Sequence, residues 1–288
     1  MKKYPIVLLV LFFVFTAFKT NKPAYLLFNE KGKKVKYDKI LDQIKDADIV
    51  LFGELHNNAI AHWLQFELTK DLYELKGTNL ILGAEMFESD NQLILDEYFN
   101  GLVSQTRFEA EVRLWNNYKT DYKPLVEFAR KNELRFVATN IPRRYASLVN
   151  SKGFEGLEEL SDEAKAFLPP IPILYDSELP AYKNMLKMEG MGSHTNENFP
   201  KAQAIKDATM AHFILENWSP EKLLIHYHGA YHSDNFESIY WYLKQHKPEL
   251  NIVTITTVSQ EDVSELTEKN EGKAHFTICV DEDMTTTY

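Results

Sequence analysis

The sequence predicts an α/β fold, in which a mainly parallel sheet is flanked by helices on both faces and a helical insertion is added. Short apolar runs of strand length alternate along the 288 residues with longer stretches of helical spacing. A hydrophobic share of 44%, with 13% aromatic residues, supplies side chains for a substantial core. These observations exclude collagen-like, coiled-coil and disordered chains.

The first 20 residues have the pattern of a secretory signal. Lys2 and Lys3 precede an apolar run over residues 6–18, which is short for a membrane span. Phe15 and Phe18 stand where a cleavage site needs small residues, so a removed signal and a retained N-terminal anchor both remain open. In either case we expect an exported protein, periplasmic or associated with the cell envelope. A retained segment would attach it to the membrane.

Strand and helix patterns alternate from residue 48 onward, after a polar and mixed segment over residues 19–45. The predicted strands cover residues 48–52, 79–86, 134–139, 222–228 and 252–258, with an edge strand at 275–280. The predicted helices cover about residues 57–76, 91–99, 106–113, 122–131, 143–149, 200–217 and 235–245. Asn57 or Asn58 supplies the cap of the first helix, and Gly77 ends it.

Residues 21–288 are expected to form a single domain with an insertion at about residues 151–200. The insertion shows no strand pattern, and Pro169, Pro170 and Pro172 stand close together in it, which favours short helices or loops. Such insertions often cover a site as a lid.

Charge and cysteine content exclude several classes of partner and site. Lysine and arginine total 32 against 42 acidic residues, and the net charge of −10 repels nucleic acid phosphates and anionic membrane surfaces. Cys279 is the only cysteine, which excludes an intramolecular disulfide and a thiolate zinc cluster. No cysteine follows the apolar run to accept a lipid.

Polar and ionisable side chains follow four of the predicted strands. Because the carboxyl ends of parallel strands share one edge, where ligands bind in open α/β sheets, we expect these groups to form one pocket. The four strand ends are Gly53-Glu54-Leu55-His56, Gly83-Ala84-Glu85, Asn140-Ile141-Pro142-Arg143-Arg144 and His226-Tyr227-His228-Gly229-Ala230-Tyr231-His232.

Two of these ends repeat the pattern glycine-x-x-histidine, at Gly53 to His56 and at Gly229 to His232. Glycine permits a sharp departure from a strand, so the two imidazoles could turn back over the crevice and converge. Side chains two apart on a strand share a face, which pairs Glu54 with His56 and likewise His226 with His228. Such pairs suit metal ligation or acid/base chemistry, although each histidine could equally have a structural hydrogen-bonding role.

Three further groups of residues admit two interpretations each. Arg143 and Arg144 are either ordinary charges at a helix start or, since cations are unfavourable there, partners of an anionic ligand. Met185, Met188 and Met191, near His194, either fill core gaps or face copper or a porphyrin. The cluster Trp115-Asn116-Asn117-Tyr118 either walls the pocket or packs. No serine-nucleophile elbow and no nucleotide-binding glycine loop occurs in the sequence.

Four ordered blocks of sequence carry a resemblance to a known family. They are Val50-Leu51-Phe52-Gly53-Glu54-Leu55-His56, Gly83-Ala84-Glu85-Met86-Phe87, Ala138-Thr139-Asn140-Ile141-Pro142-Arg143 and Gly229-Ala230-Tyr231-His232. On these blocks the chain, from about Asp48 to Thr257, resembles the ChaN-like haem-binding uptake proteins of the wider Tiki and erythromycin-esterase-like superfamily. The resemblance implies an exported protein of iron or haem acquisition that binds haem, with dimerisation around paired haems. It extends to the motif positions Glu54, His56, Glu85, Arg143 and His232.

Two functions are therefore expected, and a purely structural or protein-binding module is a third alternative. A haem-binding protein would ligate iron with a histidine or tyrosine and meet the propionates with arginine. Its candidate haem-binding residues are His56, Arg143, His226, Tyr227, His228, Tyr231 and His232. A hydrolase of the wider superfamily would use Glu54, His56, Glu85 and His232, with His56, Glu85 and His232 available to a divalent metal.

Overall fold

A seven-stranded sheet lies at the centre of the computed structural model, which describes residues 22–186 and 196–288. Its strands follow the order β1-β7-β6-β2-β5-β3-β4, and only β1 is antiparallel to its neighbour. The strands are β1 (Tyr25–Asn29), β2 (Ile49–Glu54), β3 (Leu80–Glu88), β4 (Arg135–Asn140), β5 (Leu223–Gly229), β6 (Ile252–Gln260) and β7 (Phe276–Asp281). The predicted mainly parallel α/β fold is confirmed.

Helices cover both faces of the sheet. They are α1 (Tyr37–Ile44), α2 (Ala59–Lys76), α3 (Gln92–Phe99), α4 (Gln105–Glu111), α5 (Lys123–Lys131), α6 (Arg143–Lys152), α7 (Asp162–Lys165), α8 (Pro180–Met185), α9 (Phe199–Asn217) and α10 (Ile239–His246). Helices α1 to α5 share one core with Val50 and Phe52 of β2, while α8 to α10 share another with Ile49 and Leu51. Alternate side chains of the same buried strand therefore feed the two cores.

Two local features follow the sequence pattern closely. The Asn58 side chain accepts a hydrogen bond of 3.0 Å from the Ala61 amide, which caps α2 as expected. The prolines at the start of α5, α8 and α9 fit the first helical turn, where an amide hydrogen is not needed.

The segment over residues 19–45 contains two elements that its polar, mixed composition hides. Strand β1 pairs antiparallel with β7, and α1 buries Ile40 and Ile44. The predicted edge strand at 275–280 therefore lies inside the sheet as β7, between β1 and β6, and its placement at the edge was wrong. A five-residue strand with a half-buried start offers little hydrophobic alternation to detect.

The described part of the insertion, residues 151–186 and 196–200, contains α7, α8 and the start of α9 and has no strand. Met185 is buried against α9, so the core-filling interpretation fits it. Met188, Met191 and His194 lie outside the described residues, as does the predicted signal over residues 1–20. Within residues 22–186 and 196–288, no helix has both the length and the apolar character needed to cross a membrane.

The topology brings three strand ends together. From β2 the chain crosses to β3 and β4 on one side, returns through β5 beside β2, and then continues to β6 on the other side of β2. The chain thus changes direction around β2 and β5, which is the place where open parallel sheets form a crevice.

Candidate functional site

The crevice is built from the carboxyl ends of β2, β5 and β3. Glu54 at the end of β2 lies in register with Gly229 at the end of β5. The Gly229 amide donates a hydrogen bond of 2.9 Å to Glu85 Oε2 on β3. Glu54, Gly229 and Glu85 therefore link three neighbouring strands at one point.

Each glycine of the repeated glycine-x-x-histidine pattern allows a residue of the other occurrence of the pattern to approach closely. A Cβ atom at Gly53 would lie 2.8 Å from the Ala230 Cα atom, and one at Gly229 would lie 2.8 Å from His56 Nε2. Neither glycine has a positive φ. The expected sharp departure from the strand was therefore the wrong reason for these glycines, which are needed for close approach instead.

His56 and Glu54 form a pair at the mouth of the crevice. The Nδ1 atom of His56 lies 3.0 Å from Glu54 Oε1, and the side chain of His56 is 38% exposed while that of Glu54 is buried. Burial opposes both charges, yet the pKa of Glu54 is lowered by His62 and His56, and that of His56 is raised by Glu54 and Glu85. An ionised Glu54 fixes the proton on Nδ1, which leaves Nε2 of the neutral ring free.

Buried polar groups hold this pair in place. Gln65 Nε2 donates to Glu54 Oε2 at 2.5 Å, and the Tyr122 hydroxyl donates to Glu54 Oε1. The backbone carbonyl of His56 accepts from Asn117 Nδ2 at 2.7 Å and contacts His62 Nε2 at 3.0 Å. Asn117, which belongs to the predicted cluster Trp115-Asn116-Asn117-Tyr118, thus holds the His56 backbone in place through this hydrogen bond.

A second buried cluster surrounds His232. Its Nδ1 atom lies 2.5 Å from Asp207 Oδ1 and its Nε2 atom 3.3 Å from Glu85 Oε1, while the Tyr182 hydroxyl donates to Asp207 Oδ2 at 2.9 Å. Burial disfavours the imidazolium, but Glu85 and Asp207 outweigh it and raise the pKa of His232 to about 10. His232 is therefore a buried cation with both nitrogens engaged by carboxylates.

Sequence reasoning missed Asp207, Tyr182, Gln65 and Tyr122, which support these two pairs. Asp207 is fully buried on α9, where Ala204 and Ala208 are also buried. An acidic residue at a core position of an otherwise apolar helix face was the available signal, because such a residue needs a buried partner.

The other predicted histidines, His226 and His228, lie inside the protein. Their Nδ1 atoms are 3.0 Å apart, His226 Nε2 contacts the Thr139 hydroxyl at 2.7 Å, and His228 Nε2 contacts the Ser233 hydroxyl at 2.8 Å. Burial is the largest cause that lowers the pKa of both, to about 3 for His228. Both are neutral at physiological pH and fully hydrogen-bonded within the core.

Neither predicted tyrosine faces the crevice. Tyr227 points into the opposite core, where its hydroxyl lies 2.5 Å from Thr69 Oγ1. The Tyr231 hydroxyl donates to the Ala181 carbonyl. The structure thus separates His226, Tyr227, His228 and Tyr231 from the crevice, where it brings together Glu54, His56, Glu85 and His232.

A cavity of about 350 Å³ opens beside these residues, between the ends of β3 and β4 and the helices α6 and α9. Glu85, Trp115 and Arg143 are among its lining residues, and the rings of Trp115 and His56 lie 4.8 Å apart edge to face. Arg144 points elsewhere and pairs with Asp90 at 2.5 Å. Trp115 thus walls the cavity, and Arg143 and Arg144 have different surroundings.

The predicted metal ligands His56, Glu85 and His232 lie close together, but they are not arranged to coordinate a metal ion. Within the part of the chain that the structure describes, no group of three or more histidine, cysteine, aspartate or glutamate side chains is arranged to hold a metal ion. Of the predicted ligands His56, Glu85 and His232, the last has no free nitrogen.

Comparison with known proteins places these observations in a family. Residues 40–243 match the model of the family described as haem-binding uptake, Tiki superfamily, ChaN. A solved structure of cofacial haem binding to ChaN of Campylobacter jejuni superposes with a TM-score of 0.66 at 16% sequence identity, over 88% of this chain and 96% of that chain. A mutant erythromycin esterase in its open conformation gives a TM-score of 0.45 at 13% identity, over 91% of this chain and 83% of that chain.

One curated relative was also found, the chloroplastic RETICULATA-RELATED 5 protein of Arabidopsis thaliana. It is 25% identical over 199 residues, which are 65% of this chain. The match spans 26% of the plant protein, so the chain covers about a quarter of that relative's length.

Proposed function

This chain belongs to the ChaN family of haem-binding uptake proteins in the Tiki superfamily, and we propose that it binds haem at the strand-end crevice with His56 as the iron ligand. The observation on which this rests is the free Nε2 atom of His56. Among the predicted histidine and tyrosine ligands, His56 alone combines a partly exposed side chain with a ring nitrogen that has no hydrogen-bonding partner among the described residues.

The surroundings of His56 fit an iron ligand. Histidines that bind metals commonly donate the other ring nitrogen to a carboxylate, which fixes the tautomer and increases the basicity of the ligand. Glu54 does this for His56. Trp115 supplies an aromatic surface beside the imidazole, and Arg143 lines the adjoining cavity. When bound, haem would supply the iron; His56, Trp115 and Arg143 would hold and orient it.

The test is a haem titration of the full chain followed by optical spectroscopy, with His56→Ala beside a remote control, His246→Ala. His246 is exposed at the end of α10 and takes no part in the site. We expect saturable binding with a shifted Soret band in the wild type and in His246→Ala, and loss of that shift in His56→Ala. An unchanged spectrum in His56→Ala would remove His56 as the ligand, and no binding at all would remove the haem proposal.

We also propose that the protein is exported and that a second copy participates in haem binding. Export is supported by the signal-like pattern of residues 1–20, and pairing by the family implication of paired haems. Cell fractionation tests export, and recovery of the protein only in the cytoplasmic fraction would contradict it.

Sedimentation with and without haem tests the pairing of two copies. Haem should increase the sedimenting mass to that of a dimer.

A hydrolase is the alternative function, and the same pair supports it. An imidazole whose Nδ1 proton is held by a carboxylate and whose Nε2 is free is also the arrangement of a general base. His56 would then activate water, with Glu54 holding the proton on its Nδ1 atom. Turnover of an ester or peptide that is lost in His56→Ala and kept in His246→Ala would establish it; no turnover across both substrate classes would exclude it.

A further inference from the structure

Two cationic side chains that form no ion pair with a described residue line the cavity next to His56. Its four charged lining residues are Glu85, Glu88, Arg143 and Lys206. Arg143 begins α6 and Lys206 belongs to α9, so the two cations come from two helices that pack together. Within the described residues neither side chain makes an ion pair or a hydrogen bond, in contrast to that of Arg144, which follows Arg143 directly.

The two carboxylates of the cavity already have partners other than Arg143 and Lys206. Glu85 accepts from the Gly229 amide and lies against the His232 ring. Glu88 is paired with Arg113 at 2.8 Å. Their charges are therefore balanced by groups other than Arg143 and Lys206, which leaves the positive side of the cavity without a counter-ion.

Arg143 is exposed, and a cation at its position is mildly unfavourable by itself. The first turn of a helix has the positive end of the helix dipole, and Arg143 is the first residue of a ten-residue helix. Arg107 is the only other of the six arginines that makes no ion pair among the described residues. In a chain with a net charge of −10, an uncompensated pair of cations in one cavity indicates an anionic ligand.

Met86, Trp115, Ile141 and Phe199 form an apolar and aromatic part of the cavity wall, and the polar residues Asn140, Ser147 and Asn150 line the rest of it. We propose that Arg143 and Lys206 form a carboxylate-binding pair, which takes the propionate-bearing edge of a porphyrin while its apolar ring lies against this wall. The proposal rests on the proposed haem-binding function and adds Lys206 to its residues. A volume of about 350 Å³ is at the low end for small-molecule pockets, so only that edge enters the cavity.

Iron-free protoporphyrin separates this pair from the iron ligand, because it keeps both propionates and lacks the metal. Its binding to the full chain is measured by fluorescence, with its dimethyl ester as the uncharged comparison. We expect Arg143→Gln with Lys206→Gln to weaken binding of the diacid at least tenfold and to leave the ester unchanged. The matched controls are Arg107→Gln and Lys201→Gln, which remove cations outside the cavity and should bind the diacid like the wild type.

Each outcome has a defined meaning. Equal binding of the diacid by the wild type and the double variant overturns the carboxylate pair, and so does equal loss of the ester. Displacement of the diacid by inorganic phosphate at equal concentration would show a general anion site and overturn the assignment to propionates. The iron ligand is tested separately by the Soret shift on haem titration of His56→Ala, whereas the double variant is measured with iron-free protoporphyrin, so a failed iron ligand and a failed carboxylate pair give different results.

Discussion

Gly229 determines how close the His56 ring can approach β5, which makes it a direct test of the site. A Cβ atom there would lie 2.8 Å from His56 Nε2, while the backbone, with φ −60° and ψ 138°, accepts alanine without strain. We expect Gly229→Ala to push the partly exposed imidazole aside and to lower haem affinity at least tenfold. Its free energy of unfolding should change by less than about 1 kcal/mol.

Gly53→Ala is the matched comparison. Its Cβ would lie 2.8 Å from the Ala230 Cα atom, which belongs to the backbone and cannot rotate away. Here we expect a loss of about 1–3 kcal/mol in urea denaturation. If both variants lost stability equally, or if Gly229→Ala bound haem like the wild type, the reciprocal fit of the two glycines would not be what shapes the site.

Glu54 should control the pH at which His56 becomes available to iron. Burial opposes the imidazolium, but Glu54 and Glu85 raise the pKa of His56, and a protonated Nε2 cannot bind a metal. Haem affinity should therefore fall as the pH decreases through this raised pKa. In Glu54→Gln the fall should move to lower pH, as measured by titrations at several pH values; an unshifted profile would contradict the role of Glu54.

The candidate site was predictable where its residues lie at or just after strand ends, and hidden where they lie in helices. Glu54 and Glu85 lie near the carboxyl ends of β2 and β3, and His56 and His232 follow β2 and β5, so the parallel arrangement brings all four to one edge. The same argument also grouped His226 and Tyr227 with them, but these two side chains are buried on opposite faces of β5. Sequence spacing gives the face of a strand, but it does not show which face a helix has already covered.

Helix α9 is the element that links the site to the insertion. Its Asp207 contacts His232 on one side and accepts from Tyr182 of α8 on the other. Removal of one member of a buried ion pair leaves the other charge unpaired, which typically costs about 3–5 kcal/mol. We expect Asp207→Asn to lose stability in this range, and Tyr182→Phe to lose about 1 kcal/mol.

The control for this prediction is Glu216→Gln, which removes an exposed acid from the same helix and should leave the urea midpoint unchanged. Asp207→Asn with wild-type stability would show that the His232 charge is compensated by Glu85 alone.

The order of the elements was predictable in the middle of the chain and not at its beginning. Strands β2, β3, β5 and β6 contain short apolar runs that are buried on both faces, and such runs can be recognised in the sequence without knowledge of the neighbouring strand. Strand β1 is short and half-buried, and it is stabilised by pairing with β7, about 250 residues away in the sequence. Pairing over such a distance leaves no local pattern.

Over the whole molecule, buried histidines of two opposite kinds should give stability a maximum near neutral pH. Burial lowers the pKa of His226 and His228, so below about pH 6.5 the unfolded chain takes up protons that the folded chain refuses, and stability falls. For His232, the carboxylates of Glu85 and Asp207 outweigh burial and raise the pKa to about 10. Its contribution is complete below about pH 6.5 and is lost as the pH rises through about 10.

Two variants separate the acid and the alkaline loss of stability, when urea denaturation is measured between about pH 5 and about pH 10. His232→Gln cannot carry the charge, so it should be less stable than the wild type at pH 6.5 and should lose the alkaline decline. His228→Gln should lose stability at alkaline pH like the wild type. Its loss of stability at acid pH should be smaller, because it lacks one buried imidazole that must stay neutral in the folded state. An alkaline decline of the same size in His232→Gln and in the wild type would place its origin in other groups, and the buried imidazolium would then contribute little to folding.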